Sequence, residues 1–390
     1  MRNMQKAMTI LGIESSCDDT AASVVHLSLE TKTKDWQISS RISSAKILSS
    51  EIFSQNSLHE NYGGVVPEIA ARAHAENLDI CVSLALKNAE LNASEIDLIA
   101  VTSGPGLIGG LISGTMFAKG LSKSLGKPII GVNHLVGHAL SPRLSEFSLG
   151  NPALEFPYLV LLASGGHCQF LEVISPSKFR RLGGTIDDSP GEAFDKLAKL
   201  LGLGYPGGPL IENCAKKGKR NRFNLPKPLF KAPTCNMSFS GLKAAAAREI
   251  EKNCQYSSEE KKAGFINDMS ADFQKTISDI FAEKSKIAMT SFREKYYKNL
   301  TGLKFCVCGG VAANQSIRQC LENTSKKLGF EFFAPPIELC TDNGAMIASA
   351  GAEIFLERGC IERELEIRSR WPLDTESAPL IGSGKRGAKS

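Results

Sequence analysis

The same order of elements is written twice along this chain, and that duplication limits its fold more than any single motif does. Thr9 to Ile13 is a short apolar strand that breaks at Glu14-Ser15-Ser16-Cys17-Asp18-Asp19-Thr20. Ala21 to His26 reads as the returning strand, and a third strand falls near Gln37 to Ile47. A long amphipathic helix at Pro67 to Asn88 follows, then a strand at Ile96 to Thr102, a helix at Leu107 to Leu125 and a strand at Pro128 to Val132. The order then recurs. Tyr158 to Leu162, Cys168 to Ile174 and Phe179 to Leu182 are three strands joined by turns. Helical stretches cover Glu192 to Leu201, Pro209 to Lys217, Leu242 to Lys252 and Ala263 to Lys295. A strand at Lys304 to Cys308, a helix at Ala312 to Leu328, a short strand at Phe332 to Ala334 and a helix at Asp342 to Leu356 complete it. Three strands and then alternating helix and strand, twice over, predict a duplicated α/β architecture whose halves meet near Leu149 to Phe156. A length of 390 residues suits two domains.

Several function classes drop out on composition. No apolar run reaches about 18 residues, so no membrane span is expected. The segment Met1 to Met8 has no apolar signal core and is too short for an Arg-rich transit peptide. The eleven cysteines are scattered and form no CxxC pair, which reads as reduced thiols in a cytoplasm-like compartment. A net charge of +5 permits a nucleic-acid partner without requiring one. The polar tail after Trp371 is expected to be loosely ordered.

His134 and His138 stand in Asn133-His134-Leu135-Val136-Gly137-His138, and the chain has only six histidines. Two imidazoles four residues apart on a helix lie on one face, which makes a bidentate metal clamp. A zinc protease needs a glutamate after the first histidine as general base, and here that residue is Leu135. The clamp can hold a metal, but its chemistry must come from elsewhere.

Glycines gather where strands end. Gly104, Gly106 and Gly109 spell GxGxxG between a strand and a helix. A dinucleotide site also wants an acidic residue about 20 positions on. None occurs between Gly104 and Ser145, so NAD is rejected and a tight packing turn is favoured over a ligand loop. No P-loop pattern occurs. Ser164-Gly165-Gly166-His167 joins two strands and is either a plain turn or an anion nest. Gly207-Gly208-Pro209, and Gly309-Gly310 with Asn314, open helices, whose N-termini favour anions. Together these loops point to a nucleotide cleft between the halves.

Asp342, in Cys340-Thr341-Asp342-Asn343-Gly344, sits where a strand passes into a helix. An N-cap is its commoner role on local chemistry; the alternative is a third metal ligand, completing the two-histidine, one-carboxylate set typical of non-haem Fe(II). Asp195 lies one turn along a helix, where carboxylates are usually solvated. Lys216, Lys217, Lys219, Arg220 and Arg222 form a basic run that is either a solvated loop or a polyanion footprint.

These loops, in this order, closely resemble the TsaD family, the tRNA threonylcarbamoyladenosine transferases of the actin, sugar-kinase and Hsp70 superfamily. The matching residues are Gly12 to Thr20, His59, Tyr62 to Glu68, Gly104-Pro105-Gly106-Leu107, His134 to His138 and Ser164 to His167. Asp187-Asp188, Gly191 to Lys196, Tyr205 to Pro209, Phe239 to Lys243, Gly309 to Asn314 and Cys340 to Ala348 follow, so the likeness spans roughly 9 to 373. The resemblance implies a duplicated actin-like ATPase fold of two mixed-sheet domains. The expected domains are 1–150, completed by a C-terminal helix over 342–375, then 151–341, then a flexible tail at 376–390.

The resemblance also implies chemistry. His134, His138 and Asp342 would hold one iron, as Fe(2+), with zinc as the alternative. Leu162, Ala163, Ser164, Gly165, Gly166, Asp195, Gly208 and Asn314 would bind the adenylate substrate, threonylcarbamoyl-AMP. Its threonylcarbamoyl group would pass to the exocyclic amine of the adenosine 3′ to the anticodon, in tRNAs reading codons that start with A, with AMP released. The residues supply no clear general base; Glu14, Asp18 and Asp19 are the candidates. The implied partners are tRNA and either TsaB- and TsaE-type subunits or a second copy of the chain. The implied compartment is a bacterial cytoplasm, with the mitochondrial matrix as alternative. The sequence departs from the family pattern at Ala163, Cys168 and Ser189-Pro190, in extra residues near Thr31 to Trp36, and in the Lys-rich loop near Lys216. The proline could shift the helix that presents Asp195. Two other functions compete: a metal-dependent glycoprotein endopeptidase, which lacks its base, and a small-molecule kinase of the superfamily, which lacks the Asp-Gly-Gly phosphate turn.

Overall fold

The structure is a computed structural model that describes residues 6–34, 37–62, 64–151, 154–253, 258–298, 300, 302–358, 365–377 and 380. The chain divides into two compact units. The first comprises Met1–Phe156, Ile174–Lys178 and Pro335–Leu373, and the second Pro157–Val173, Phe179–Ala334 and Asp374–Ser390.

Unit one holds β1 (Lys6–Glu14), β2 (Asp19–Lys34), β3 (Gln37–Ser54), β4 (Leu98–Gly104) and β5 (Ile129–Asn133), in the sheet order β3-β2-β1-β4-β5. β1, β2 and β3 form an antiparallel meander, and β4 and β5 add in parallel. The helices are α1 (Asn56–His59), α2 (Pro67–Asn88), α3 (Ile108–Leu125), α4 (His134–Ser148) and α10 (Gly344–Arg358). Pro67 starts α2, where its missing N–H costs nothing. Gly126, at φ 65°, closes α3 in the left-handed conformation.

Strand alternation decides what each side of this sheet meets. Leu11 and Ile13 of β1, with Ile99 and Val101 of β4, enter one core cluster with Leu78, Val82 and Ala85 of α2 and Ala118 of α3. The alternate residues serve the other face. Gly12 lies so close to α10 that a Cβ there would stand 2.0 Å from the Gly344 carbonyl oxygen. A Cβ on Gly351 would stand 2.6 Å from Ala100 Cβ. Small residues thus let α10 settle onto the backbone of β1 and β4. Glu14 is in phase with Gly12 and points to the same face.

Unit two repeats the plan with β6 (Tyr158–Ala163), β7 (Cys168–Ser175), β8 (Lys178–Gly184), β9 (Leu303–Cys308) and β10 (Phe330–Phe333), ordered β10-β9-β6-β7-β8. Read from the other edge, that is the strand order of unit one. β6 pairs antiparallel to β7, and β9 and β10 add in parallel. Its helices are α5 (Pro190–Leu200), α6 (Gly207–Ala215), α7 (Ser240–Lys252), α8 (Glu259–Tyr296) and α9 (Gln315–Lys327). Both sheets mix parallel and antiparallel strands, as the duplicated α/β reading requires.

Some elements differ from expectation. β3 runs to Ser54, seven residues past Ile47, because it pairs with β2 from Asp19↔Ser54 to Lys34↔Gln37. The helix expected from Ala312 is a short 3-10 turn, Gly310–Ala313, before α9, since Asn314 caps α9. Residues 342–375 are not one helix: α10 is Gly344–Arg358, and 365–373 carry no helix. Of the tail at 376–390, all but 376, 377 and 380 lie outside the described residues, as do Asp35 and Trp36. The nine described cysteines are free thiols; Cys254 and Cys360 lie outside the described residues. Among the described residues no helix is long and apolar enough to cross a membrane.

Candidate functional site

Unit one builds a metal-type donor set at the end of β5. Asn133 ends the strand and caps α4, its side chain accepting the Leu135 N–H at 2.9 Å. The helix therefore opens on His134, and His138 follows one turn on, with the rings 4.7 Å apart and nearly perpendicular. Pro142 sits inside α4 and cannot donate to the carbonyl of His138; the Ser141 hydroxyl takes that carbonyl instead, at 2.8 Å.

Asp342 comes from 204 residues away, just before α10. Its Oδ1 stands 3.1 Å from His138 Nε2 and 3.6 Å from His134 Nε2. The cap that local chemistry favoured for Asp342 is supplied by its neighbour, because Asn343 Oδ1 accepts the Met346 N–H at 2.8 Å. That leaves the Asp342 carboxylate for the histidines.

The three side chains offer ligand atoms that all lie within 4.8 Å of one another. Donors about 2.1 Å from a common ion stand about 3.0–3.4 Å apart in octahedral or tetrahedral geometry; the 3.1 Å separation from His138 falls in that span and the 3.6 Å separation from His134 lies just outside it, so a shared cation would need only a small approach of His134. His138 meets Asp342 through Nε2, while its Nδ1, on the other side of the ring, is buried without a hydrogen-bond partner.

The three candidate bases part company. Glu14 is wholly buried. Its carboxylate accepts the Ser16 N–H at 2.6 Å and the Thr102 hydroxyl at 2.6 Å, and faces His134 Nδ1 at 2.9 Å. Burial pushes the Glu14 pKa up, but the His134 imidazole outweighs it and holds the carboxyl below its usual range. For His134, burial works downward, and the Glu14 and Asp342 carboxylates overcome it and raise the pKa to about 9. Glu14 thus orients a metal-type histidine and has no surface for a substrate. Asp18 and Asp19 are half-buried. Burial, then Asp18 and Asp342, lift the Asp19 carboxyl to about 7, and its Oδ1 is buried without a hydrogen-bond partner.

One group under this loop escaped the sequence reasoning. His74, fully buried on α2, holds the Thr20 hydroxyl at 2.7 Å and the Cys17 carbonyl at 3.1 Å. Burial keeps its pKa low, so the ring is neutral. A histidine on an otherwise apolar helix face was the available signal.

The Gly104–Gly110 segment is packing. A Cβ on Gly104 (φ 152°) would meet the Arg368 carbonyl oxygen at 2.0 Å, and one on Gly106 the Ser16 carbonyl oxygen at 2.5 Å. One on Gly110 would meet the Ser15 carbonyl oxygen at 2.3 Å. The segment clamps the Glu14–Cys17 loop, with the Leu107 N–H bonded to the Ser16 carbonyl at 2.7 Å.

Unit two gathers the residues expected to hold adenylate. Leu162 and Ala163 are buried at the end of β6. Ser164 and His167 close the turn through Ser164 N–H to the His167 carbonyl at 2.8 Å and His167 N–H to Ser164 Oγ at 3.2 Å. Gly165 and Gly166 are exposed, and a Cβ on either would meet nothing within 4 Å. Gly191 packs on Gly165, and Gly309 (φ 88°) packs on Ala163, which ties α5 and the β9 turn to this one. Pro190 occupies the first turn of α5 behind the Ser189 cap, so it starts that helix. Asp195 is half-buried rather than solvated, and its Oδ1 accepts the Gly207 N–H at 2.8 Å at the start of α6. Gly208 faces open space. Asn314 is buried; its Oδ1 caps α9, and its Nδ2 donates to Gln274 at 2.7 Å. The Ser164–His167 and Gly309–Asn314 turns follow the carboxyl ends of β6 and β9, where open α/β sheets bind ligands.

Comparison with known proteins adds to this geometry. Residues 46–349 match the TsaD family model, described as tRNA N6-adenosine threonylcarbamoyltransferase. A Roseobacter denitrificans protein of that name is 49% identical over 391 residues, covering 99% of this chain and 100% of the relative. One from a Jannaschia species is 50% identical over 394 residues, covering 100% of each. Among solved structures, full-length HypF in its phosphate- and nucleotide-bound form aligns with a TM-score of 0.50 at 14% identity, over 92% of this chain and 47% of HypF. HypF from T. kodakarensis aligns equally well, over 92% of this chain and 49% of that one. At such identity the likeness is one of fold.

Proposed function

Because the chain belongs to the TsaD family of tRNA N6-adenosine threonylcarbamoyltransferases, we propose that it transfers threonylcarbamoyl from threonylcarbamoyl-AMP to the adenosine 3′ to the anticodon. It is a transferase of the duplicated actin-like ATPase fold, and tRNA is what it modifies. One observation carries this: near-half identity to relatives of that name along the whole chain. The tRNAs modified are those reading codons that start with A, and AMP leaves.

His134, His138 and Asp342 hold the metal in this proposal, iron first and zinc second. A bound ion would supply Lewis acidity, polarising and positioning the acyl oxygens. Ionised Glu14 accepts from His134 Nδ1 and so turns Nε2 toward Asp342, the usual carboxylate–histidine support of a metal ligand. The open Gly165-Gly166 turn, the α6 start at Gly208, Asp195 and Asn314 hold the adenylate, leaving AMP where its phosphate meets backbone N–H groups. Asp19, its carboxyl lifted to about 7, and Asp18 take the proton lost by the attacking amine in this proposal, and Glu14, sealed against His134, does not. The chain works in a bacterial cytoplasm, with TsaB- and TsaE-type subunits or as a homodimer.

The endopeptidase alternative finds no support, because fully buried Leu135 stands where the base would be. The test incubates the protein with threonylcarbamoyl-AMP, family partner subunits and unmodified tRNA, and follows AMP release and nucleoside mass. Threonylcarbamoyladenosine with matching AMP is expected. AMP without the modified nucleoside, or EDTA-sensitive cleavage of a glycoprotein instead, would overturn the proposal.

A further inference from the structure

Between α6 and α7, residues 216–231 carry seven Lys and Arg and no Asp or Glu. The whole chain has a net charge of +5, so the rest of it sums to −2 (5 minus 7). Without this loop the chain would carry a net negative charge.

The loop is held by its backbone. A Cβ on Gly218 would stand 2.0 Å from the Asn267 carbonyl oxygen of α8. Asp268 accepts the Lys219 N–H at 2.6 Å, and Asp272 accepts the N–H groups of Asn221, Arg222 and Phe223. Two carboxylates are thus spent largely on main-chain donors. Arg222 also pairs with Asp268 at 2.8 Å and Lys227 with Asp279 at 2.7 Å. Lys216, Lys217, Lys219 and Arg220 are exposed and form no ion pair among the described residues.

We propose that this loop is a docking surface for the phosphate backbone of the tRNA substrate, with Lys216, Lys217, Lys219 and Arg220 as its contacts. The inference rests on the tRNA-modifying activity above and adds where the polyanion is gripped. Within 216–220 the four cations are interrupted only by Gly218, which suits phosphate oxygens, whereas protein interfaces deplete Lys and need an apolar centre. A loop pinned at Gly218 and by Asp268 and Asp272 presents its charges at little ordering cost.

The test measures binding of an unmodified tRNA transcript as a function of salt, using the full chain. Lys216→Gln, Lys217→Gln, Lys219→Gln and Arg220→Gln combined should weaken binding at least about tenfold at low salt. They should also reduce the slope of log affinity against log salt by about 3, as four lost phosphate contacts require. The pair Lys216→Gln and Lys217→Gln should show about half that slope change, and Lys-to-Arg changes at 216, 217 and 219 should restore wild-type binding. A control removes four exposed charges elsewhere: Lys46→Gln, Lys87→Gln, Lys123→Gln and Lys178→Gln. Unchanged affinity and slope in the loop variant, or an equal loss in the control, would overturn the proposal. Nucleoside mass spectrometry on the wild type separates the two levels. Modified tRNA together with an unaffected loop variant sinks the loop alone; no modification by the wild type sinks the activity on which it rests.

Discussion

The segment Gly104-Pro105-Gly106 and the turn Ser164-Gly165-Gly166-His167 both end buried strands and both look, in sequence, like ligand loops. In unit one each glycine makes room for protein: the Cβ positions of Gly104, Gly106 and Gly110 are filled by carbonyl oxygens 2.0–2.5 Å away. In unit two the Cβ positions of Gly165 and Gly166 meet nothing within 4 Å. Glycine permits close approach, and its neighbours decide whether protein or ligand takes the space. The packed segment sets the loop bearing Glu14 and Ser16, and so bears indirectly on His134. The open turn keeps the space at its two Cβ positions clear of protein.

Substitutions can break that contrast. Gly110→Ala should destabilise the protein by about 3 kcal/mol in chemical denaturation, since a backbone carbonyl must move. A loss below about 0.5 kcal/mol would show that the segment is not packed as described. Glu14→Gln should lower metal affinity about 10- to 100-fold in a chelator competition, because His134 loses its anionic partner. Unchanged affinity would remove Glu14 from the metal's support. Gly166→Ala should stay within about 0.5 kcal/mol of wild-type stability, as an open surface position should, yet weaken AMP binding about tenfold by calorimetry. A large stability loss with intact binding would invert the contrast between the turns. The smallest effect is confined to acid. Asp374 accepts N–H groups of Arg181, Glu376 and Ser377; burial raises its pKa, but the Ser377 hydroxyl and these N–H groups prevail and hold it at about 2, below the usual 3.8. Its stabilisation is complete above pH 4 and should fade as pH drops toward 2. Asp374→Asn should flatten that part of the stability–pH curve, and an unaltered curve would contradict it.

Much of this was legible because local rules and packing agree. The Pro67 start places α2 at the predicted residues, and the 3.6-residue period puts His134 and His138 on one face. The duplicated element order appears as one strand order used twice. Asp342 was harder. Asp and Asn cap helices almost equally, so adjacent Asp342 and Asn343 could not be told apart locally. The choice is made by α10 settling on Gly12 and Ala100, a long-range contact with no local signature beyond its small residues. Glu14 was singled out for a base. The alternation that aims it at the α10 face could have suggested an orienting role, but only with the partner of that face known. Asp195 and Asn314 were assigned to adenylate by the resemblance alone. Their bonds to Gly207, Ile317 and Gln274 depend on loops whose path periodicity does not describe.

The most direct measurement is the amount of N6-threonylcarbamoyladenosine in tRNA incubated with threonylcarbamoyl-AMP, family partner subunits and either wild-type protein or Asp342→Ala. The wild type should modify the tRNA, while the variant, folded to the same melting temperature, should fall at least about a hundredfold. Equal modification by Asp342→Ala, or none by the wild type, would contradict the assignment of His134, His138 and Asp342 to a metal that serves threonylcarbamoyl transfer.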